Sequence, residues 1–417
     1  MLKVAGRITF VCRSFPPALG GGETLIYLLA KYLSRLGWHV SIVTDLKNKQ
    51  NVNYKFLNDL ISFNYIEGFE AFSQGEIGYK YFLDEIYKII DSTKPHIVHS
   101  FNFYPGFIGS LYANINNKPH VFTYFNTPLP DGRIIKMFDN IELESSLVKY
   151  LIVGMKIDEL IAYSEFTYKH AIKLLGDKRK VSWCYPGVDS ELFSRERKNT
   201  LLKKELGLSE KELLIVVPAR VVPRKKIETI IYAVDMIKDL PFKVVISSGG
   251  IIQPEYAKYY QKIRKLVQDL NLSHKVLFPD EEIRLEDIGK LYATADIGIL
   301  TSEIEGLGLG ILELMQSGVP VIATDTEGVK EILVDKKTGI LIPVGDYNQL
   351  ASNLKYLINN PNLRKVIGTN AMREVKKKFD LKKYIMHHHS TYLKLIFKKR
   401  HEQKKTLEID IYKKSIL

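Results

Sequence analysis

A chain of 417 residues can form two or three domains, each large enough to bury its own core. With 46% hydrophobic and 26% charged residues it has the composition of an ordinary globular protein, and no apolar run reaches the roughly 18–20 residues that cross a bilayer. The net charge of +13 favours anionic partners in general, but no zinc-finger spacing, RNA-binding signature or arginine-rich arm is present, and two cysteines (Cys12 and Cys184) exclude a disulfide framework and a CxxC metal site.

In chain order, ITFVC (8–12) predicts a first buried strand and not the apolar segment of a signal peptide. SFPPALGGGE forms a Pro/Gly loop, ETLIYLLAKYLSRLG an amphipathic helix stopped by Gly37, and HVSIVTD (39–45) the next strand. Such a βαβ unit predicts a parallel sheet with the loop at its ligand-binding C-terminal edge, where Gly20 to Gly22 would let a phosphate or sugar approach the backbone. The helix YFLDEIYKIIDST and the strands HIVHS (96–100), PHVFTYF (119–125) and LIAYSEF (160–166) follow. Strand ends near 99, 126 and 164 would set His99, Asn126 and Ser164 around one crevice, with 101–118 and 126–140 as specificity loops. The segment 133–156, apolar-rich with basic ends, fits either a membrane-docking element or a helix packed on the sheet.

SRERKNTLLKKELGLSEKE carries no strand pattern and reads as a linker and the opening helix of a second domain. A second alternating series runs through LLIVVPAR (213–220), a helix at 226–238, FKVVISSG (242–249), a helix at 255–270, KVLFPD (275–280), EDIGKLYATA, DIGIL, PVIATD (320–325) and GILIPVG (339–345). From about 380 the chain is helical, tyrosine-rich and basic; His387 to His389 would point different ways on a helix, which argues against a metal site. The expected division is 1–190, 191–378 and 379–417, the last packing back on the first domain.

The densest chemistry lies in TSEIEGLGLGILE (301–313). Gly306, Gly308 and Gly310 leave backbone amides bare beside a helix N-terminus, which attracts anions. Glu305 and Glu313 flank that nest; carboxylates repel phosphate, so they suit hydroxyl-rich groups on either side of it. A diphosphate between two sugars, a nucleotide sugar, meets this description. Arg220, at a strand end, and Lys225, at a helix start, would clamp the diphosphate. Ile311 occupies the third glycine position of a dinucleotide fingerprint and no Walker A pattern occurs, so a nicotinamide site and an NTPase are rejected.

TSEIEGLGLGILELMQSGVPVIATDTEGVKEILVDKKTGILIPVGD resembles the signature of the retaining glycosyltransferases of family 4, glycosyl transferases group 1. PARVVPRKK resembles the R-x4-K motif of that family, and SFPPALGGGE, KPHIVHS, LIAYSEF and YPGVDSELF extend the similarity over nearly the whole chain. The resemblance implies an α/β GT-B fold, two doubly wound Rossmann-like domains facing each other across a cleft. It implies that Arg220 and Lys225 hold the diphosphate and support the leaving group, and that Glu305 faces the transferred sugar. The backbone of Gly306, Leu307, Gly308 and Leu309 would approach sugar and phosphates, Glu313 would accept both ribose hydroxyls, and Gly20 and Gly21 would lie against the diphosphate. His99 and Asn126 would line the acceptor side. Such enzymes need no cofactor beyond the nucleotide-sugar donor and no metal, and no suitable DxD site is found. The implied acceptor is a glycan or lipid-linked sugar; the expected location is the cytoplasm, the net charge leaves open a peripheral contact with an acidic membrane surface, and no nucleic acid is expected as partner. Two departures stand out: Asn126 where the family has histidine, and Lys226 where R-x4-K-G has glycine. A nucleotide-sugar epimerase of the same fold, or a sugar-nucleotide-binding subunit with weakened turnover, are the alternatives.

Overall fold

The computed structural model describes residues 5–16, 20–45, 59–68, 79–125, 154–176, 180–248, 256–279 and 283–416. Two compact units emerge: Met1–Ala18, Gly22–Cys184 and Lys382–Leu417 form the first, Leu19–Gly21 and Tyr185–Leu381 the second.

The first unit is built on seven strands: β1 (Gly6–Val11), β2 (Trp38–Asp45), β3 (Ile61–Ile66), β4 (Ile97–Phe101), β5 (His120–Thr123), β6 (Glu159–Ala162) and β7 (Val181–Trp183). They pair in parallel in the order β3-β2-β1-β4-β5-β6-β7. Helices cover both faces of such a sheet, which is why β4 and β5 are buried at every position. The edge strand β3, ISFNYI, is only partly buried and its weak alternation conceals it in the sequence.

The stretch expected as a loop at 101–118 is instead the helix Phe103–Ile115. Pro105 and two glycines suggest a loop, and an almost wholly apolar sequence shows no helical stripe. The glycines serve packing. A side-chain carbon at Gly106 would sit 2.5 Å from the Phe122 ring, and one at Gly109 1.9 Å from Ser100 Oγ, so glycine lets the helix lie directly on β4 and β5.

The long helix Leu381–Ile416 joins the first unit from Lys382 onward. Its three consecutive histidines take three separate structural partners. Trp38 Nε1 donates to His389 Nδ1 at 2.9 Å, His387 Nε2 pairs with the Ser182 hydroxyl at 3.1 Å, and His388 lies flat against His99 at 5.8 Å between ring centres. Among the described residues, no helix is long and apolar enough to cross a membrane.

The second unit carries β8 (Leu213–Arg220), β9 (Phe242–Ser248), β10 (Val276–Leu277), β11 (Ile297–Leu300), β12 (Val321–Thr324) and β13 (Ile340–Ile342). They pair in parallel in the order β10-β9-β8-β11-β12-β13. The chain winds outward in one direction from β8 and in the other from β11. Between those two strands lies the topological switch point, where parallel α/β sheets open a crevice beyond their strand ends.

Candidate active site

The loops that leave β8 and β11 at this switch point are stitched together. After Arg220 the chain makes a tight turn, with Lys225 N donating to Val222 O at 2.9 Å. The Thr301 hydroxyl, just past β11, reaches the carbonyl oxygens of Lys225 and Lys226 at 2.9 and 3.1 Å, and Glu303 N donates to Arg224 O at 2.8 Å. The helix Ile227–Met236 follows directly, entered through Lys226 at φ 47° and ψ 48°. A non-glycine residue in that left-handed region costs about 1–2 kcal/mol.

This scaffold brings Lys225 and Glu305 into a buried ion pair. Lys225 Nζ donates to Glu305 Oε1, Ser302 Oγ donates to the same oxygen at 2.7 Å, and Arg224 Nη1 stands 3.9 Å from it. Ser302 is itself fixed, since Thr324 Oγ1 donates to its carbonyl at 2.5 Å. Burial alone would push the Glu305 carboxyl up, but the Lys225 and Arg224 charges and the two hydrogen bonds outweigh it and hold Glu305 below the usual carboxylate range. Burial, followed by the Arg224 and Arg220 charges, draws Lys225 down to about 8 against the opposing pull of Glu305. Both groups are therefore charged at neutral pH. Arg220 closes β8 after a register irregularity in its pairing with β9 and adds its positive field to the same place.

Gly308 ends the turn at φ 94°, a conformation glycine adopts freely, and caps the helix Leu309–Gln316. The eight-residue helix presents its first amides and positive dipole end beside Gly306 to Leu309. Glu313 is one turn further along, on the same side of the helix as Leu309. Among the described residues no hydrogen-bond donor reaches its carboxyl. Burial pushes that carboxyl up to about 8. The nearby Tyr292 phenol is driven above its ordinary range by burial first and by Glu313 second.

The sequence-predicted residues thus separate. Arg220, Lys225, Glu305, Gly306, Leu307, Gly308, Leu309 and Glu313 gather around one sheet edge of the second unit. Gly20 and Gly21 group with them; a side-chain carbon at Gly21 would lie 2.6 Å from Leu309. His99 corrects an expectation. The strand expected to end beside it runs on to Phe101, so His99 sits inside β4, fully buried, sharing hydrogen bonds with the Tyr392 hydroxyl at 2.6 Å and the Thr123 hydroxyl at 2.9 Å. Burial lowers its pKa well below the ordinary imidazole value, so it is a neutral core residue and does not line an acceptor surface. Ser164 likewise is a buried helix cap, in a reciprocal box with Thr167. Asn126, the 126–140 loop and most of 133–156 lie outside the described residues. Sequence reasoning missed Thr301, Ser302 and Arg224; the first two precede Glu305 by only a few positions and the third adjoins Lys225, so adjacency to the motif is the signal that would have found them.

Comparison with known proteins is consistent along the chain. Residues 198–374 match the family model described as glycosyl transferases group 1, and residues 19–192 the model described as glycosyltransferase family 4. An N-acetyl-alpha-D-glucosaminyl L-malate synthase from Bacillus anthracis is 26% identical over 249 residues, covering 60% of this chain and 62% of that enzyme. An uncharacterised glycosyltransferase of Methanocaldococcus jannaschii is also 26% identical, over 89% of this chain and 93% of the relative. In three dimensions, a sucrose-phosphate synthase from Thermosynechococcus elongatus superposes with a TM-score of 0.77 at 21% identity, covering 94% of this chain and 99% of that one. The Anabaena protein HepE, solved with UDP and glucose, gives 0.76 at 19% identity, covering 93% and 99%. At such identities the structural likeness speaks for the fold.

Proposed function

Because the chain belongs to the group 1 glycosyltransferases of GT-B fold, we propose that it moves a sugar from a nucleotide-sugar donor to a hydroxyl of a glycan or lipid-linked acceptor, with retention of configuration and without a metal. The observation that carries this reading is the Lys225–Glu305 pair, flanked by Arg220 and Arg224, on the same sheet edge as Glu313. A diphosphate entering this edge meets three cations and a helix N-terminus. Lys225 then shares its charge with phosphate, which frees Glu305 to accept hydrogen bonds from the sugar. Glu313, which meets no donor among the described residues, accepts the ribose hydroxyls.

The chemistry follows from that placement. The bond between the anomeric carbon and the phosphate oxygen breaks, and the acceptor oxygen bonds to the same carbon from the same face. The acceptor's proton passes to the departing phosphate. Arg220 and Lys225 stabilise the negative charge growing on that phosphate, the role a metal plays elsewhere. That HepE is described with UDP and with UDP-glucose supports a nucleoside-diphosphate sugar as donor.

Turnover of a nucleotide-sugar panel, followed as released nucleotide with and without acceptors, tests the reading. Arg220→Ala and Glu313→Ala are expected to lose at least ~10²-fold in kcat/KM, the scale of removing one preorganised charge or donor. Wild-type turnover in both variants would overturn it.

A further inference from the structure

Close in sequence to the ion pair, but with none of the proposed donor-site residues in its lining, the second unit holds a cavity of about 400 Å³ whose walls include Lys226, Glu228, Tyr232, Glu303 and Tyr347. Cavities of roughly 300–1,000 Å³ are the size that holds small ligands. Three independent features mark it as a site.

The first is Lys226. It keeps the left-handed backbone natural to glycine, which the family pattern places here, yet carries a long cationic side chain. Retained strain of this kind points to a use for the side chain. The two neighbouring lysines diverge: Lys225 turns inward to Glu305, whereas Lys226 Nζ pairs with Glu303 Oε2 at 3.1 Å on the cavity wall.

The second is a pair of exposed aromatic rings. Tyr232, on the helix Ile227–Met236, and Tyr347, opening the helix Tyr347–Asn359, are 41% and 39% exposed, with ring centres 5.5 Å apart and planes at 52°. The rings of these two part-exposed side chains border the cavity from two different helices.

The third is charge. One ammonium faces two carboxylates, and one of these, Glu228, already accepts from the Tyr259 hydroxyl. A net negative lining repels phosphate and favours hydroxyls. Tyrosine rings with a carboxylate and an ammonium in the same cavity lining suit a sugar, whose C–H face stacks on the rings while its hydroxyls bond to Glu303 and Lys226.

We propose that this cavity is a second saccharide-binding site, distinct from the nucleotide-sugar site, that holds one unit of a neutral glycan. The choice of a saccharide draws on the glycosyltransferase reading; the two are separable by experiment. Saturation-transfer NMR is recorded on the full chain with neutral trisaccharides (maltotriose, mannotriose, chitotriose) and, separately, with UDP, GDP and ADP. At least one trisaccharide is expected to bind wild type and Glu313→Ala alike, and to lose at least fivefold in signal in Tyr232→Ala and Tyr347→Ala. Tyr347→Phe, which keeps the ring, should retain the signal and controls for folding. Nucleotide binding should be unchanged in the tyrosine variants. The proposal is overturned if no trisaccharide binds wild type, if binding survives both alanine variants, or if those variants lose nucleotide instead. Absence of nucleotide binding with intact trisaccharide binding would overturn the donor-site reading alone.

Discussion

His99 in the first unit and Glu305 in the second are both buried polar residues near the end of a parallel strand, and both were expected to touch substrate. Their surroundings differ in one decisive way. His99 lies within β4, and each ring nitrogen is satisfied by a neutral hydroxyl, one of them from the C-terminal helix. Glu305 lies five residues beyond β11, compensated by charges that a ligand can take over. A buried polar group satisfied by neutral core partners stabilises the fold; one satisfied by charged side chains at a strand terminus can exchange them for a charged ligand.

That contrast can be broken by substitution. Glu305→Gln should show the largest effect, a loss of at least ~10²-fold in turnover, together with destabilisation of up to about 3–5 kcal/mol as Lys225 loses its counter-charge. Denaturant unfolding and steady-state kinetics measure both, and wild-type turnover would remove Glu305 from the site. His99→Leu should behave oppositely. Stranding the Tyr392 and Thr123 hydroxyls should cost about 1–3 kcal/mol, seen as a lower Tm, with kcat/KM of the folded fraction unchanged. A selective fall in turnover at constant stability would return His99 to the substrate surface. The third effect is one of pH and concerns Glu313. Its raised pKa means that the folded chain holds this proton more tightly than the unfolded one, so stability falls as pH climbs from the ordinary carboxylate range to about 8. The slope is at most about 1.4 kcal/mol per pH unit, and Glu313→Gln should flatten it.

The sequence exposes the second unit far better than the first. LLIVVPAR reads as a strand and is one, residue for residue, because a short continuous apolar run with a β-branched centre, bounded by polar residues, has few other solutions. Glu305, Glu313, Arg220 and Lys225 are legible because their chemistry sits in contiguous motifs at strand ends. In the first unit the periodic signals mislead. The helix Phe103–Ile115 is apolar almost throughout and carries glycines for close packing, so it shows neither stripe nor helix propensity. His99 reads as a strand-end residue because the helix that covers it arrives from nearly 300 positions away, at Tyr392. Long-range cover of this kind leaves no local trace. The ties that set the candidate site, Thr301 to the 225–226 carbonyls and Ser302 to Glu305, are equally silent until the two loops are seen side by side.

The proposed donor site turns on Glu313, whose carboxyl meets no hydrogen-bond donor among the described residues and is assigned to the donor's ribose. Calorimetric titration with a nucleotide-sugar panel at pH 5.5 and 7, where Lys225 stays charged, in buffers of different ionisation enthalpy, measures this directly. Since hydroxyls bond best to the ionised carboxyl, one donor should bind about tenfold more tightly per unit rise in pH across this window and release about one proton on binding, with the pH dependence and proton linkage both lost in Glu313→Gln. Donor binding that is independent of pH and unaltered in Glu313→Gln would contradict it.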